Sequence, residues 1–120
     1  MSLRTFTANL TQSTSASGSS GWFYVGEMAK ISLIVSVTGD NTAAGTVSVN
    51  VSNDAATGGG SMMSFTPSTT FTLASPAVTV SGNGVSLVTP LDIAYQWMQI
   101  TFTRSSGTGG VLSATISGHD

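Results

Sequence analysis

The sequence predicts an all-β fold: a single antiparallel β-sandwich, jelly-roll-like, with about seven or eight strands. Several segments alternate apolar and polar residues with a period of two, which is the pattern of half-buried strands. Turn-forming residues separate these segments at spacings of about 8–12 residues, as in sandwiches and barrels. The length of 120 residues fits one domain, residues 1–120, and no window carries a sustained helical period.

The composition supports strands over disorder. Charged residues make up 7% of the chain, against about 25% in an average soluble domain. Ser, Thr, Gly and Asn replace the missing charge, since apolar residues stand at only 40%. Val, Ile and Thr are abundant, and these residues suit a pleated surface.

The first 21 residues are expected to form an N-terminal strand or arm and a flexible segment. Residues 3–10 alternate weakly, and their shared face holds Phe6, Ala8 and Leu10. Residues 11–21 are rich in Ser, Thr and Gly, which is typical of a loop or flexible linker. Residues 22–25, three of which are aromatic, follow as a short strand.

The strongest strands are predicted at residues 30–38 and 46–52, with turn residues 39–45 between them. We therefore expect a hairpin with a long loop. The inward faces are formed by Ile31, Leu33, Val35, Val37, Val47, Val49 and Val51.

The middle of the chain predicts shorter strands. Residues 53–60 form a loop, and the strands that follow are interrupted by Pro67 and closed by Pro76. Because proline is poorly tolerated in central strands, these strands belong at edges or bends. A tight turn is expected at residues 82–84 and a corner at residues 90–94.

The end of the chain predicts a second hairpin, with strands at residues 95–104 and 111–117. A turn of small residues, 105–110, joins them. The apolar faces of the two strands are Met98, Ile100 and Phe102 on one and Leu112, Ala114 and Ile116 on the other.

Aromatic residues are the candidate contact residues. By strict alternation Tyr95 and Trp97 lie on the polar face of their strand, where an aromatic pair suggests contact with another molecule. Trp22 and Tyr24 are candidates for such a contact as well. Three interpretations stay open: a shift of register buries both faces, the aromatics contact another subunit, or they bind a ligand such as a sugar. The candidate interface or ligand contacts are thus Trp97, Tyr95, Trp22 and Tyr24.

No pattern of reactive residues predicts a catalytic, cofactor-binding or metal site. The single histidine, His119, lies one residue from the end, where chains usually fray. Asp40 and Asp54 are expected to cap turns, with a calcium site completed by backbone carbonyls as the alternative. The glycine-rich residues 58–60 and 107–110 lack the Lys-Ser/Thr of a phosphate loop.

Charge and hydropathy exclude two classes of partner. The net charge is −2, and the only basic residues besides the histidine are Arg4, Lys30 and Arg104. Nucleic-acid binding requires clustered Lys and Arg. No apolar run approaches the roughly 18 residues that span a bilayer, so membrane insertion is not expected. There is no cysteine and hence no disulfide framework.

Three segments resemble small bacteriophage structural proteins: residues 46–54 (TVSVNVSND), 95–103 (YQWMQITFT) and 106–109 (SGTG). In those proteins a strand ending in Ser-Asn-Asp precedes a strand of the type Trp-hydrophobic-Arg-hydrophobic-Thr-Tyr-Thr and a Ser-Gly-Thr-Gly turn. The resemblance covers residues 22–118. Gln99 stands where that pattern has Arg, so a salt link from that position is not expected.

The resemblance implies a non-enzymatic β-sandwich protein of the virion, a capsid decoration or cement protein or a spike component, with no cofactor. Its implied partners are further copies of itself, preferably as a trimer, and the capsid protein. Its implied location is the virion, after synthesis in the cytoplasm of a bacterial host. The alternative is a carbohydrate-binding module or host-receptor head, because the Ser-Asn-Asp ending also resembles discoidin-type sandwiches.

Overall fold

A computed structural model of the chain describes residues 5–24, 30–53, 69–92 and 95–119, which form two antiparallel sheets packed as a sandwich. Sheet A has four strands in the order β1 (Thr5–Ser13), β9 (Val111–His119), β4 (Lys30–Thr38) and β7 (Gly84–Asp92). Sheet B has five: β2 (Gly18–Ser19) and β3 (Phe23–Tyr24) both pair with β8 (Trp97–Ser106), followed by β5 (Ala44–Ser52) and β6 (Phe71–Ser81). The all-β sandwich is confirmed, with nine strands in the described ranges.

The core lies between the sheets, and alternation decides which residues enter it. Along β4 every second residue is buried, as the sequence predicts, and β5 follows the same rule. The fully buried side chains include Phe102, Met98, Ile100, Leu33, Leu112 and Ile116. The inward faces predicted for residues 30–38 and 46–52 are therefore confirmed.

The hairpin predicted at the end of the chain is wrong. β8 pairs with β5 in sheet B, whereas β9 pairs with β1 and β4 in sheet A. The apolar faces of β8 and β9 do meet, but across the core of the sandwich. Alternation fixes which face of a strand is apolar, and an apolar face can be buried equally well against the opposite sheet.

The hairpin predicted between residues 30–38 and 46–52 is wrong for the same reason. β4 belongs to sheet A and β5 to sheet B, so residues 39–43 form a β-arch, a connection that crosses from one sheet to the other. Residues 14–17, 82–83 and 107–110 also connect strands of different sheets.

The Ser-rich segment after the first strand differs from the flexible loop that its composition predicts. Thr11–Ser13 continue β1 in register with β9, and Gly18–Ser19 form β2 against β8. The Ser17 side chain accepts a hydrogen bond from the Arg104 backbone N–H at 2.9 Å. Ser and Thr suit exposed edge strands and side-chain-to-backbone bonds as well as loops, so composition alone does not separate the two.

The proline-containing strand lies at an edge, as predicted, since β6 is the last strand of sheet B. The strand nevertheless continues through Pro76 to Ser81, with a register shift against β5 between Ser48 and Asn50. β7 likewise continues through the corner predicted at residues 90–94 as far as Asp92. Residues 54–68, which include Pro67, lie outside the described residues.

His119 does not lie in the frayed tail that the sequence predicts for it. His119 is the last residue of β9, and its backbone pairs in register with Thr5 and Lys30. Pairing on both sides supplies the backbone partners that a free tail would lack.

Candidate functional site

A buried carboxylate, Asp40, lies at the end of the sandwich where four inter-sheet connections meet. It sits in the β4–β5 arch and is only 4% exposed. Its partners come from residues 14–17 after β1 and from residues 107–110 between β8 and β9. Its backbone N–H donates to Asn83 Oδ1, in the β6–β7 connection, at 2.8 Å.

Both oxygens of Asp40 accept hydrogen bonds. Oδ2 accepts from Thr14 Oγ1 at 2.6 Å and from the Thr108 backbone N–H at 2.7 Å, with the Gly109 N–H further away at 3.3 Å. Oδ1 accepts from Thr42 Oγ1 at 2.6 Å and from the Thr42 backbone N–H at 2.9 Å. Each oxygen thus accepts from three donors, counting Thr108 Oγ1 at 3.3 Å from Oδ1.

These donors hold the pKa of Asp40 far below its usual range. The Thr14 hydroxyl contributes most, followed by the Thr42 hydroxyl and the Thr108 backbone N–H, while burial opposes them. Hydrogen bonds to an ionised carboxylate favour that form. The hydrogen bonds therefore favour the ionised form of Asp40 and make it a weaker base than an ordinary carboxylate.

Thr14 joins the carboxylate to the backbone of the neighbouring connection. Its hydroxyl donates to Asp40 and accepts from the Gly110 N–H at 2.8 Å, and its own N–H donates to the Gly110 carbonyl at 3.1 Å. Arg104 adds two bonds, from Nε to the Thr14 carbonyl at 3.1 Å and from Nη2 to the Gly107 carbonyl at 2.7 Å. The result is a network that ties connections of both sheets together.

The network has the chemistry of a structural junction. The N–H and O–H donors around the Asp40 oxygens already occupy their acceptor positions. No group of three or more His, Cys, Asp or Glu side chains is placed to hold a metal ion within the described part of the chain. The expected turn role of Asp40 is confirmed by its bond to the Thr42 N–H; Asp54, its alternative calcium partner, lies outside the described residues.

Sequence reasoning missed the distant partners of Asp40. Thr14 lies 26 positions away and Thr108 lies 68 positions away. The one available signal is the spacing of glycines in the last connection. A Cβ at Gly107 would overlap the Thr14 carbonyl oxygen, and one at Gly110 would overlap the Thr38 carbonyl oxygen. Glycine is needed where backbones approach this closely.

The candidate aromatic residues lie in or next to β3 and β8. Trp97 is 3% exposed and Trp22 is 7% exposed, whereas Tyr24 and Tyr95 are half-buried. Tyr24 meets the Trp97 ring edge to face, with centroids 5.4 Å apart. β8 keeps a regular register with β5 here, so Trp97 is covered without any shift of register. Contact with a partner or ligand at these four residues remains a prediction.

Away from Lys30, which lies exposed at the start of β4, the outer face of sheet A is an uncharged surface, formed by alternate residues of β1, β9 and β4. Asn9 Oδ1 accepts from Ser113 Oγ at 3.1 Å and from Thr115 Oγ1 at 3.0 Å, so the polar groups bond to one another across strands. Three exposed apolar side chains share this face: Ile34, Val85 and Val111. The residues of the surface on the three strands are Thr7, Asn9, Thr11, Ser13, Val111, Ser113, Thr115, Ser117, Ser32, Ile34, Ser36 and Thr38.

The outer face of sheet B carries a similar polar network. Asn50 Nδ2 donates to Gln99 Oε1 at 2.9 Å and to Thr101 Oγ1 at 3.0 Å, and its Oδ1 accepts from Thr72 Oγ1 at 2.7 Å. Gln99 therefore bonds within the sheet, where the resembling pattern has Arg.

Comparison with known proteins gives no relative for this arrangement: no family model, no curated protein and no solved structure matches the chain. Among the residues described, no helix has the length and apolar character needed to cross a membrane.

Proposed function

We propose that the chain is a non-enzymatic structural protein of a virion, which decorates or cements the capsid through protein–protein contacts as a symmetric oligomer. The observation that carries the proposal is the outer face of sheet A. Away from Lys30 at the start of β4, this face combines uncharged Ser, Thr and Asn side chains with the exposed Ile34, Val85 and Val111.

Such a face is suited to burial against another protein. Burying a charged group is costly unless it is paired, whereas a hydrogen-bonded hydroxyl or amide is buried at far lower cost. Here Asn9, Ser113 and Thr115 already satisfy one another. The apolar side chains add favourable contact area: Val85 is 74% exposed, Val111 49% and Ile34 40%.

The buried carboxylate supports a structural role. Asp40 has both oxygens occupied by donors and a strongly lowered pKa, so it holds connections in place. A general base requires a pKa near the working pH. The resemblance to bacteriophage structural proteins, which rests on residues 46–54, 95–103 and 106–109, points in the same direction.

The alternative of a carbohydrate-binding module has less support. Sugar rings stack on open aromatic faces, but Trp97 and Trp22 are each at most 7% exposed. Only the half-buried Tyr24 and Tyr95 remain accessible among the candidate aromatics.

Cosedimentation with phage shells tests the proposal. Purified chain is mixed with shells of the phage that encodes it, and we expect saturable binding that Val85→Lys weakens at least about tenfold. Ala77→Lys, which adds the same charge on the outer face of sheet B, is the matched control and should bind normally. The proposal is abandoned if the wild-type chain does not bind shells and electron microscopy finds no copy of it on the native particle.

A further inference from the structure

β1 is a long edge strand that lacks the usual protection against pairing with another chain. Among the described residues, three strands of nine or more residues lie at sheet edges: β1, β6 and β7. β6 contains Pro76 and β7 contains Pro90, and each has a register shift against its neighbour. Prolines, bulges and charges are the devices that keep edge strands from associating. In β1 there is no proline and no charged residue, and all nine residues pair one for one with β9.

The outer side of this strand offers backbone hydrogen-bonding groups. In the part of the chain that the structure describes, β9 is the one strand that pairs with β1. In an antiparallel pair, alternate residues direct their N–H and C=O away from the partner strand. We propose that this edge pairs with β1 of a second copy, antiparallel about a two-fold axis at Asn9, and joins two four-stranded sheets into one of eight strands.

The sequence of β1 is suited to antiparallel pairing with β1 of a second copy. Centring the pairing on Asn9 places Thr5 opposite Ser13 and Thr7 opposite Thr11, so that all nine residues of each strand are paired. The exposed residues of the two copies then share one face, and Thr–Thr pairs across strands are favourable. No charge meets a like charge. A two-fold contact is also the commonest symmetry of homo-oligomers.

The available area suits a dimer of moderate strength. A strand of nine residues is about 30 Å long, and the shortest extent of the molecule is 23 Å. Their product limits the contact to about 700 Å² per partner, slightly less than the roughly 800 Å² of a standard interface. A contact of this size is large enough for a specific interface, so we expect a dimer that forms reversibly as the protein concentration rises.

This inference rests on the sheet edge and is independent of the proposed function. A chain that dimerises through β1 and ignores phage shells would support the edge contact and overturn the virion role. A two-fold contact also gives even-numbered oligomers, in place of the trimer that the resemblance implies.

Charge placement along β1 tests the register. Thr7→Lys/Thr11→Lys sets lysine opposite lysine across the two-fold axis, and should weaken dimerisation by at least about tenfold in sedimentation velocity. Thr7→Lys/Thr11→Glu sets opposite charges against each other and should restore it. Ala77→Lys/Ser81→Lys places two lysines at the same spacing on the exposed outer face of β6, and should leave the dimer intact.

A cysteine introduced at the axis provides a second, independent measurement. The chain has no cysteine, so Asn9→Cys adds the only thiol. Opposite Cα atoms in an antiparallel pair are about 4.5–5.5 Å apart, which is within disulfide range. Under mild oxidation we expect rapid conversion to a covalent dimer, and slow conversion for Thr79→Cys, which is exposed on β6.

The proposal is overturned if the wild-type chain remains at 12.1 kDa up to roughly millimolar concentration. A trimer overturns it as well, as does a dimer that Thr7→Lys/Thr11→Lys leaves unchanged. If the backbone N–H groups of β1 are protected from hydrogen exchange only when shells are present, the edge pairs with a capsid segment, and pairing with a second copy is overturned.

Discussion

Replacing Thr14 by valine tests whether the Asp40 network holds the sandwich together. Valine has nearly the shape of threonine, so Thr14→Val leaves no cavity and removes only the hydroxyl. Thr14 is 0% exposed, and that hydroxyl both donates to Asp40 and accepts from the Gly110 N–H. The substitution therefore leaves a backbone N–H without its partner in a buried place.

The expected loss is about 2 kcal/mol, since removing one partner of a buried polar group costs about 1–3 kcal/mol. Unfolding entropy near 2.1 cal/mol/K per residue gives about 250 cal/mol/K for 120 residues. A loss of 2 kcal/mol then lowers Tm by about 8 °C.

The assay is reversible thermal and urea unfolding followed by circular dichroism. Thr14→Ser keeps the hydroxyl and should recover most of the stability. Thr79→Val makes the same change at an exposed position on β6 and should stay within about 0.5 kcal/mol of wild type. If Thr14→Val also stays within that range, the network does not stabilise the fold and the argument built on it is refuted.

Three further changes probe the same architecture. Because the pKa of Asp40 is lowered in the folded state, the unfolded chain takes up a proton more readily below about pH 4, and the free energy of unfolding falls on acidification. Asp40→Asn should flatten this dependence on pH in urea titrations, and an unchanged dependence would assign the loss of stability to other carboxylates. Gly107→Ala should lower Tm more than Gly109→Ala, because both glycines have positive φ but only Gly107 lies against the Thr14 carbonyl. Equal losses of Tm would show that this close approach does not explain the need for glycine at position 107. Phe102→Ala should cost about 3–5 kcal/mol, while the 65% exposed Phe71 tolerates the same change; similar losses at both sites would contradict the assigned core.

The sequence predicts strand faces well and strand partners poorly, for a physical reason. The burial of Ile31, Leu33 and Val35 follows from alternation, because water and core lie on opposite sides of a pleated strand. Partner choice depends on the path of the connections. Residues 39–43 and 107–110 have ordinary turn composition, yet both cross between sheets. Glycine content indicates a turn, but it carries no information about which sheet the next strand joins.

The Asp40 network was equally hidden, because its members are local in space and remote in sequence. An Asp followed by Asn and Thr indicates a turn, and the bond to the Thr42 N–H is of that kind. The bonds to Thr14 and Thr108 exist only once three connections have come together.

The inter-sheet connections explain why a carboxylate is buried at this end of a chain so poor in charge. Strands of one sheet are held by their ladders, but an arch has no ladder, and its backbone N–H groups need other acceptors. Asp40 supplies two oxygens that accept from the Thr42, Thr108 and Gly109 N–H groups and from the Thr14 hydroxyl. A neutral side chain offers fewer acceptor sites. The buried Asp40 carboxylate thus holds together connections that run between the two sheets.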